Sequence, residues 1–307
     1  MRKYSAFLFI ALSFLLCSSA PKEDKAVLRI LDDNIWEYSK DTIPPAWERI
    51  GMDCRDAVRA PGFVRLVKEN EPDVFAFQEY CKHMHDEFYP KVRKEGYKIA
   101  TEGTDKNFNN TPIFYNTSTV KLLETNYVLY TPKKWCNHGS KSFTSAVFRQ
   151  KSTGKEFIVI STHLWYKRDS VQAGSMMAKA GQIRYVMAEA EELMDRYPGA
   201  PVFVVGDMNC EEHTFPIQQF IEYGYKPCYK ISTGETDGGN GHHICSPKSG
   251  FSRRTNRMGN DRYTGAIDHC LLYDPAGNVE IKAFRCIMDE WTLPLTDHYP
   301  NVIDAIL

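Results

Sequence analysis

The sequence predicts an α/β domain in which two packed sheets carry helices on their outer faces. Three observations lead there. Strand-like runs rich in branched residues recur near residues 27–31, 73–77, 112–115, 126–130, 143–148, 156–161, 202–206, 266–273 and 279–285. Helix-like stretches near 57–70, 84–95, 172–196 and 214–223 interrupt them at intervals. Several of the strand runs end abruptly on carboxylate, carboxamide or imidazole side chains, and a sheet that ends this way delivers polar groups to one edge.

The chain opens with Met1-Arg2-Lys3, an apolar run from Ala6 to Leu16 and the small-residue stretch Cys17-Ser18-Ser19-Ala20. That order of basic, apolar and small residues reads as an export signal over residues 1–20, with residues 21–307 as one domain. A membrane-spanning helix needs about 20 apolar residues, far more than this run supplies. The expected location is therefore periplasmic or secreted. Cys17 could carry a lipid anchor, although the residue before it, Leu16, is larger than a lipidation signal prefers. The nine cysteines suit an oxidising compartment, and none stands at C-x-x-C spacing. Cys228 and Cys245, on either side of a Gly-rich loop, are the best candidates for a bridge; Cys270, in an apolar run, reads as a buried free thiol.

Of the 307 residues, 43% are hydrophobic and 25% charged, with a formal net charge of −1. A large core is affordable at that length, and a broad basic face for long nucleic acid is excluded. Any polyanion must be read locally.

The first strand run, Leu28-Arg-Ile-Leu-Asp-Asp-Asn34-Ile-Trp36, and the second, Pro72-Asp-Val-Phe-Ala-Phe-Gln78-Glu79, each close on groups that can hold a cation. Glu79 is costly at the end of a buried run unless it is paired or bound to metal. His83-Met-His85 and His242-His243 lack further ligands at zinc-site spacing and read as surface or loop histidines. Phe157-Ile-Val-Ile-Ser-Thr162-His163-Leu164 ends on an imidazole. The stretch 172–196 places Met176, Ala180, Ile183, Met187 and Ala190 at helical spacing, an amphipathic cover for a sheet. Val202-Phe-Val-Val-Val-Gly-Asp207-Met-Asn209 is the clearest strand end: Gly206 permits close backbone approach, and continued extension would put Asp207 and Asn209 on the same side. Ala266-Ile-Asp268-His269 and Leu295-Thr-Asp297-His298-Tyr-Pro300 complete the series.

Taken together, these motifs resemble, in order and residue type, the endonuclease/exonuclease/phosphatase superfamily of DNase I-like metal-dependent phosphoesterases, from about Leu28 to the C-terminus. The resemblance implies a four-layer sandwich of two mixed β-sheets flanked by helices, with the active site where strand ends of both sheets meet. It implies Glu79, Asn34 and Asp297 as ligands of Mg²⁺ or Mn²⁺, in keeping with their hard oxygen donors. It also implies an Asp268–His298 pair that activates water or stabilises the phosphoryl group, Asp207 orienting the nucleophile, Asn209 donating to the pentacoordinate centre, and His163 as a second phosphate donor or as the acid at the leaving group. The chain departs from the pattern at Asp32-Asp33, where a small or hydroxyl residue and then an apolar one are usual, so an extra carboxylate near the metal is expected. It departs again, mildly, at Thr296 in place of Ser.

The substrate is a phosphate ester of unassigned class, with short single-stranded nucleic acid one option and a monomer the expected form. The Arg-x-Pro-Ser-Trp-Cys-Asp-Arg block of inositol 5-phosphatases and the Gly-Asp-x-Asn-Val-Ala-His of apurinic endonucleases are both absent. Thr162-His-Leu-Trp-Tyr-Lys167 is similar to the deadenylase and sphingomyelinase branch. Trp165, Lys167 and Arg168 are expected to line the substrate rim by stacking and charge; Arg253 and Arg254, in a basic loop with Lys248, Arg257 and Arg262, are either a second rim or a solvated loop. A binding protein that kept the fold without turnover is the alternative reading, and it is disfavoured because every position needed for the chemistry is filled.

Overall fold

The computed structural model describes residues 26–37, 53–104, 107–136, 139–234, 236, 266–292 and 294–307. The expected signal peptide with Cys17, the second His pair, Cys245 and the basic loop with Arg253 and Arg254 lie outside these residues.

One sheet runs, edge to edge, β13 (Glu280–Cys286), β14 (Asn301–Ile306), β1 (Leu28–Asn34), β2 (Val74–Gln78), β6 (Ile113–Asn116) and β3 (Tyr97–Ile99). The other runs β11 (Lys226–Pro227), β12 (Asp268–Tyr273), β10 (Val202–Asp207), β9 (Glu156–His163), β8 (Ser142–Gln150) and β7 (Val120–Leu129). A short ribbon, β4 (Gly103–Thr104) with β5 (Asn107–Phe108), stands apart. Each large sheet has one parallel pair at its centre, β1 with β2 and β9 with β10, and antiparallel neighbours on both sides. Parallel neighbours require a crossover. Helix α1 (Asp56–Asn70) provides it between β1 and β2, and α3 (Ser175–Arg196) between β9 and β10.

Because both faces of each sheet are covered, the central strands are apolar on both faces, and the alternation is visible only in what each residue packs against. Leu28, Ile30, Val74 and Ala76 meet Phe157, Val159, Phe203 and Val205 between the sheets. Their neighbours Leu31, Phe75 and Phe77 turn outward onto Phe63 and Leu66 of α1 and Met84 and Phe88 of α2 (Lys82–Lys94). Phe75 stacks on Phe114 there at 4.6 Å between centroids, a geometry that adds to simple area burial. On the opposite side, Ile158, Ile160, Val202 and Val204 pack on Ile183, Val186 and Ala190 of α3 and on Ile217 and Phe220 of α4 (Phe215–Tyr223). The methionine stripe of α3 is core, with Met176 and Met187 half-buried against this cluster. The four layers are helices, sheet, sheet, helices.

The strand and helix spans expected from sequence are present with boundaries shifted by a few residues, except that the run near 126–130 belongs to a longer strand, β7, which pairs with β8 through an irregularity between Leu122 and Glu124. As the edge strand of its sheet, β7 is only half-buried, which blurs its pattern. The short strands β3, β4, β5 and β11 and the single-turn α5 (Cys228–Ile231) leave no periodic signal. β14 was missed although it lies beside β1, because six residues next to the chain end carry too little context. All seven cysteines of the described residues are buried; Cys228 sits in the inter-sheet core as a free thiol rather than in a bridge, and Cys270 is the buried free thiol expected.

Gly206 sets the distance between β10 and β9. Its φ is +131°, and a Cβ there would lie 2.1 Å from the Thr162 carbonyl oxygen and 3.1 Å from Gln78 Nε2. Gly206→Ala is therefore expected to destabilise the protein by about 2–4 kcal/mol through backbone displacement and strain. Urea unfolding with an unchanged m-value measures this.

Candidate active site

The inward-facing series on the four central strands changes from apolar to polar at a single level. On β1 it proceeds from Ile30 to Asp32 and Asn34, on β2 from Ala76 to Gln78, on β9 from Val159 to Ser161 and His163, and on β10 from Val205 to Asp207. Both parallel pairs point their carboxyl ends the same way, so these residues meet. β12 runs antiparallel to β10 with Asp268 opposite Asp207, and the segment before β14 brings in Asp297 and His298.

Asp207 is the hub. Its Oδ2 accepts from Asn34 Nδ2 at 2.9 Å and lies 3.4 Å from His163 Nε2 and 4.0 Å from His298 Nε2. Its Oδ1 accepts the Asn209 N–H at 2.8 Å. Burial opposes its ionisation, but the hydrogen bond to His163 and the nearby His163, His298 and Lys141 outweigh it and hold the carboxyl well below the usual range. Asp207 is thus a committed carboxylate.

Glu79 lies beyond the end of β2 with φ +57°, left-handed for a non-glycine residue. Its Oε2 accepts the Glu37 N–H at 2.9 Å, while Oε1 is 3.6 Å from His163 Nε2. The side chain is 26% exposed, which puts it at the mouth. Burial pushes its acidity one way and His163, Lys141 and the Glu37 amide pull it further the other, leaving Glu79 below its usual value.

On the opposite wall, His298 Nδ1 donates to Asp268 at 2.8 and 3.0 Å and its Nε2 is 3.8 Å from Asp297 Oδ1. Burial disfavours the imidazolium, yet Asp268 and Asp297 overcome it, and His298 rises well above an ordinary histidine. The Asp268–His298 pair expected from sequence is in place. Asp297 is pushed up to about 6, chiefly by burial, and its Oδ1 is shut from water with no hydrogen-bond partner.

Two groups of potential metal ligands emerge among the described residues, Glu79 with His163 and Asp207, and Asp207 with Asp268 and His298; in each, the ligand atoms lie within 4.8 Å of one another. Asn34 turns its amide nitrogen to the carboxylates and its oxygen to the Trp36 N–H, at 3.0 Å. Asn209 reaches the site by a turn, with φ +52°, and not by continued extension. Its Nδ2 donates to Leu164 O at 3.2 Å. Lys179 and His269 hold the same turn through the carbonyls of Asn209 and Cys210, at 2.7 and 2.8 Å.

The extra acids of β1 have a different fate from the one expected. Asp32 accepts from Gln78 Nε2 at 2.8 Å inside the sandwich, and neither oxygen of Asp33 has a hydrogen-bond partner. Burial pushes both well above the carboxylate range, so they are neutral acids outside both ligand groups.

Two features escaped the sequence. Arg59, buried on α1, donates to Ile35 O at 2.6 Å, Trp36 O at 2.9 Å and Leu295 O at 2.7 Å, and pairs with Asp56 at 2.6 Å. It thereby ties the turn after Asn34 to the segment carrying Asp297, a link that Thr296 repeats by donating to Asn34 O at 2.5 Å. Lys141, the residue before β8, is buried beside His163. Neither sits in a recognisable motif, and only the meeting of distant segments reveals them.

On the rim, Trp165 is 3% exposed. Its backbone N–H donates to Gln182 Oε1 at 2.7 Å and its ring N–H to Ser175 Oγ at 3.3 Å, and Trp135 packs edge-on at 5.4 Å. It is a core residue with no face left to stack on a ligand, because α3 covers it. Tyr166 is the exposed aromatic, at 45%, with Lys167 Nζ 5.6 Å from its ring centre; Arg168 is exposed beyond it. His83 is exposed on α2, and His85 lies half-buried against Tyr80.

No family model matches the sequence, and no curated protein does either. Solved structures do. An endonuclease/exonuclease/phosphatase family protein from Bacteroides thetaiotaomicron superposes with a TM-score of 0.70 at 18% identity, covering 92% of this chain and 98% of its own. The fold is that of the endonuclease/exonuclease/phosphatase proteins. A mannosyl-6-phosphatase from the same organism matches with a TM-score of 0.66 at 18% identity over 91% of this chain and all of its own. D. rerio TDP2, complexed with a single-strand DNA product, matches with 0.63 at 18% identity over 91% and 99%.

Trp165→Ala is expected to cost about 3–5 kcal/mol of stability by opening a cavity, whereas Tyr166→Ala stays within about 1 kcal/mol. Parallel denaturant titrations of the two variants distinguish them. Equal losses would contradict the assignment of Trp165 to the core.

Proposed function

We propose that this chain is an exported, divalent-metal-dependent phosphoesterase that hydrolyses a phosphomonoester or phosphodiester by in-line attack of an activated water. The observation that supports it is the sharing of Asp207 between two groups of ligand-type side chains on opposite walls of one hollow. Phosphoryl transfer needs charge stabilisation on both sides of the phosphorus.

The donor set fits a hard cation. Glu79 and Asp297 bring carboxylate oxygens, one of them buried and unpartnered. Asn34 joins through its carboxamide oxygen only if the amide turns over from its present bonding. Mg²⁺ or Mn²⁺ held here supplies neutralisation of the phosphoryl oxygens.

The remaining roles follow from charge state. Asp207, ionised and fixed by Asn34 and Asn209, orients the attacking water by accepting its hydrogen bond. His298, kept positive by Asp268, faces a phosphoryl oxygen as a donor. His163 sits lower than an ordinary histidine because of burial and the adjacent Lys141, and it serves as a hydrogen-bonding group beside Asp207. Tyr166, Lys167 and Arg168 form the rim toward the rest of the substrate, and a single domain over residues 21–307 acts as a monomer. Fold neighbours named for a sugar phosphatase and for a DNA product support phosphate-ester chemistry without choosing between ester types. Among the described residues no helix is long and apolar enough to cross a membrane.

EDTA is expected to abolish hydrolysis of a phosphate-ester panel, and added Mg²⁺ or Mn²⁺ to restore it; Glu79→Ala should lose metal affinity as well as rate. Full turnover in EDTA would end the metal mechanism.

Asp207→Ala, His163→Ala and His298→Ala should each lower kcat by about two to four orders of magnitude with folding retained by circular dichroism. Asp268→Asn should act as a milder His298 variant. Rates within a few-fold of the parent would remove these residues from the chemistry.

A further inference from the structure

In the proposed reading, Glu79 and Asp297 hold a cation from opposite walls, with the imidazole of His298 beside Asp297. On the His163 side a further cationic side chain, Lys141, enters the site. Its ammonium is buried, 3% exposed, and reaches both ring nitrogens of His163, Nδ1 at 3.1 Å and Nε2 in closer contact. One ring edge cannot satisfy three N–H donors, and among the described residues the ammonium makes no other hydrogen bond. Burial pushes it below an ordinary lysine, and Glu79, Asp207 and Glu37 pull it part of the way back through space without bonding to it.

A lysine left short of acceptors in a buried place is a costly element. This one is aimed at the hollow where the scissile phosphate must lie, and it is far from any surface role. Its other neighbour is the exposed rim aromatic, with Nζ 5.5 Å from the Tyr166 ring centre. Lys141 therefore stands between the carboxylate floor and the rim, at the point where a phosphoryl group passes from the mouth to the hub at Asp207.

We infer that Lys141 is a catalytic residue whose ammonium binds a non-bridging oxygen of the scissile phosphoryl group, with His163 as the group that positions it. The inference rests on the phosphoesterase reading. It assigns positive groups to both walls, Lys141 facing His298 across Asp207, so that charge developing on the equatorial oxygens is met from two directions. Its cost in stability is consistent with function: a buried ammonium with poor hydrogen bonding is normally destabilising relative to an apolar residue of similar volume.

The test uses the full chain loaded with Mn²⁺ and three variants, Lys141→Met, Lys141→Gln and Lys141→Arg. Isothermal titration measures the dissociation constants of Mn²⁺ and of inorganic phosphate, thermal melting measures stability, and kcat is read on a one-phosphate aryl ester. Lys141→Met should weaken phosphate binding about tenfold or more and lower kcat by about 10²–10³, with melting temperature equal or raised and Mn²⁺ affinity not reduced. Lys141→Gln should behave alike, and Lys141→Arg should recover part of the phosphate affinity because it restores the charge. Unchanged phosphate binding in both neutral variants overturns the inference. So does a loss of Mn²⁺ affinity or of melting temperature that accounts for the whole effect, since that marks a charge-balancing or structural lysine. If Lys141→Met does not fold, Lys141→Gln and Lys141→Arg carry the same comparison. Should the parent hydrolyse no phosphate ester, the phosphoesterase reading fails on that arm, while phosphate titration still decides whether Lys141 is an anion ligand.

Discussion

The constraint on which the site depends is the crowding of acidic side chains into a space largely closed to water. Asp32, Asp33, Glu79, Asp207, Asp268 and Asp297 all converge within the carboxyl ends of two sheets. Six ionised carboxylates cannot share such a place, because each loses hydration and repels the others. The protein resolves this by giving them different states. Asp32 and Asp33 stay protonated through burial, Asp268 is neutralised by His298, and Asp207 and Glu79 stay ionised against His163 and Lys141. Asp297, poised near 6 with an unpartnered oxygen, is the acid most in need of a cation.

The scaffold that makes this crowding tolerable is the repetition of one unit. Each sheet contains a parallel pair with a helical crossover, and the two pairs face one another with their carboxyl ends aligned. Apolar alternation holds the pairs together below, and polar residues continue the same alternation above. Gly206 lets β10 lie close enough to β9 for Asp207 and His163 to meet. Arg59 performs the equivalent service at the other wall by bracing the segments that carry Asn34 and Asp297. The candidate ligands are thus borne by strands and by tightly bonded turns, which is what a preorganised site requires.

Trp165 shows how tertiary packing withdraws a side chain that the sequence offers to the surface. In Trp-Tyr-Lys-Arg, which begins two residues after His163, α3 lies across Trp165 and its ring N–H is used by Ser175. The exposed ring is the next one, Tyr166. A sequence offers two adjacent aromatics with equal claims, and only the helix that crosses the strand decides which of them meets solvent.

Much of the fold was legible because its central strands are long, branched and interrupted by strongly periodic helices, and because most site residues sit where an apolar run stops. Asn34, Glu79, His163 and Asp207 each close a buried strand run, a costly place for a polar group without a partner; Asp268, Asp297 and His298 were expected from the resemblance instead. What the sequence could not determine was anything that depends on two distant segments meeting. β14, the brace at Arg59, the neutral state of Asp32 and Asp33, the burial of Trp165 and the position of Lys141 all belong to that class. Local pattern specifies which way a side chain points from its own strand. The charge state and the role of that side chain are set by the groups across from it, and those arrive only with tertiary structure.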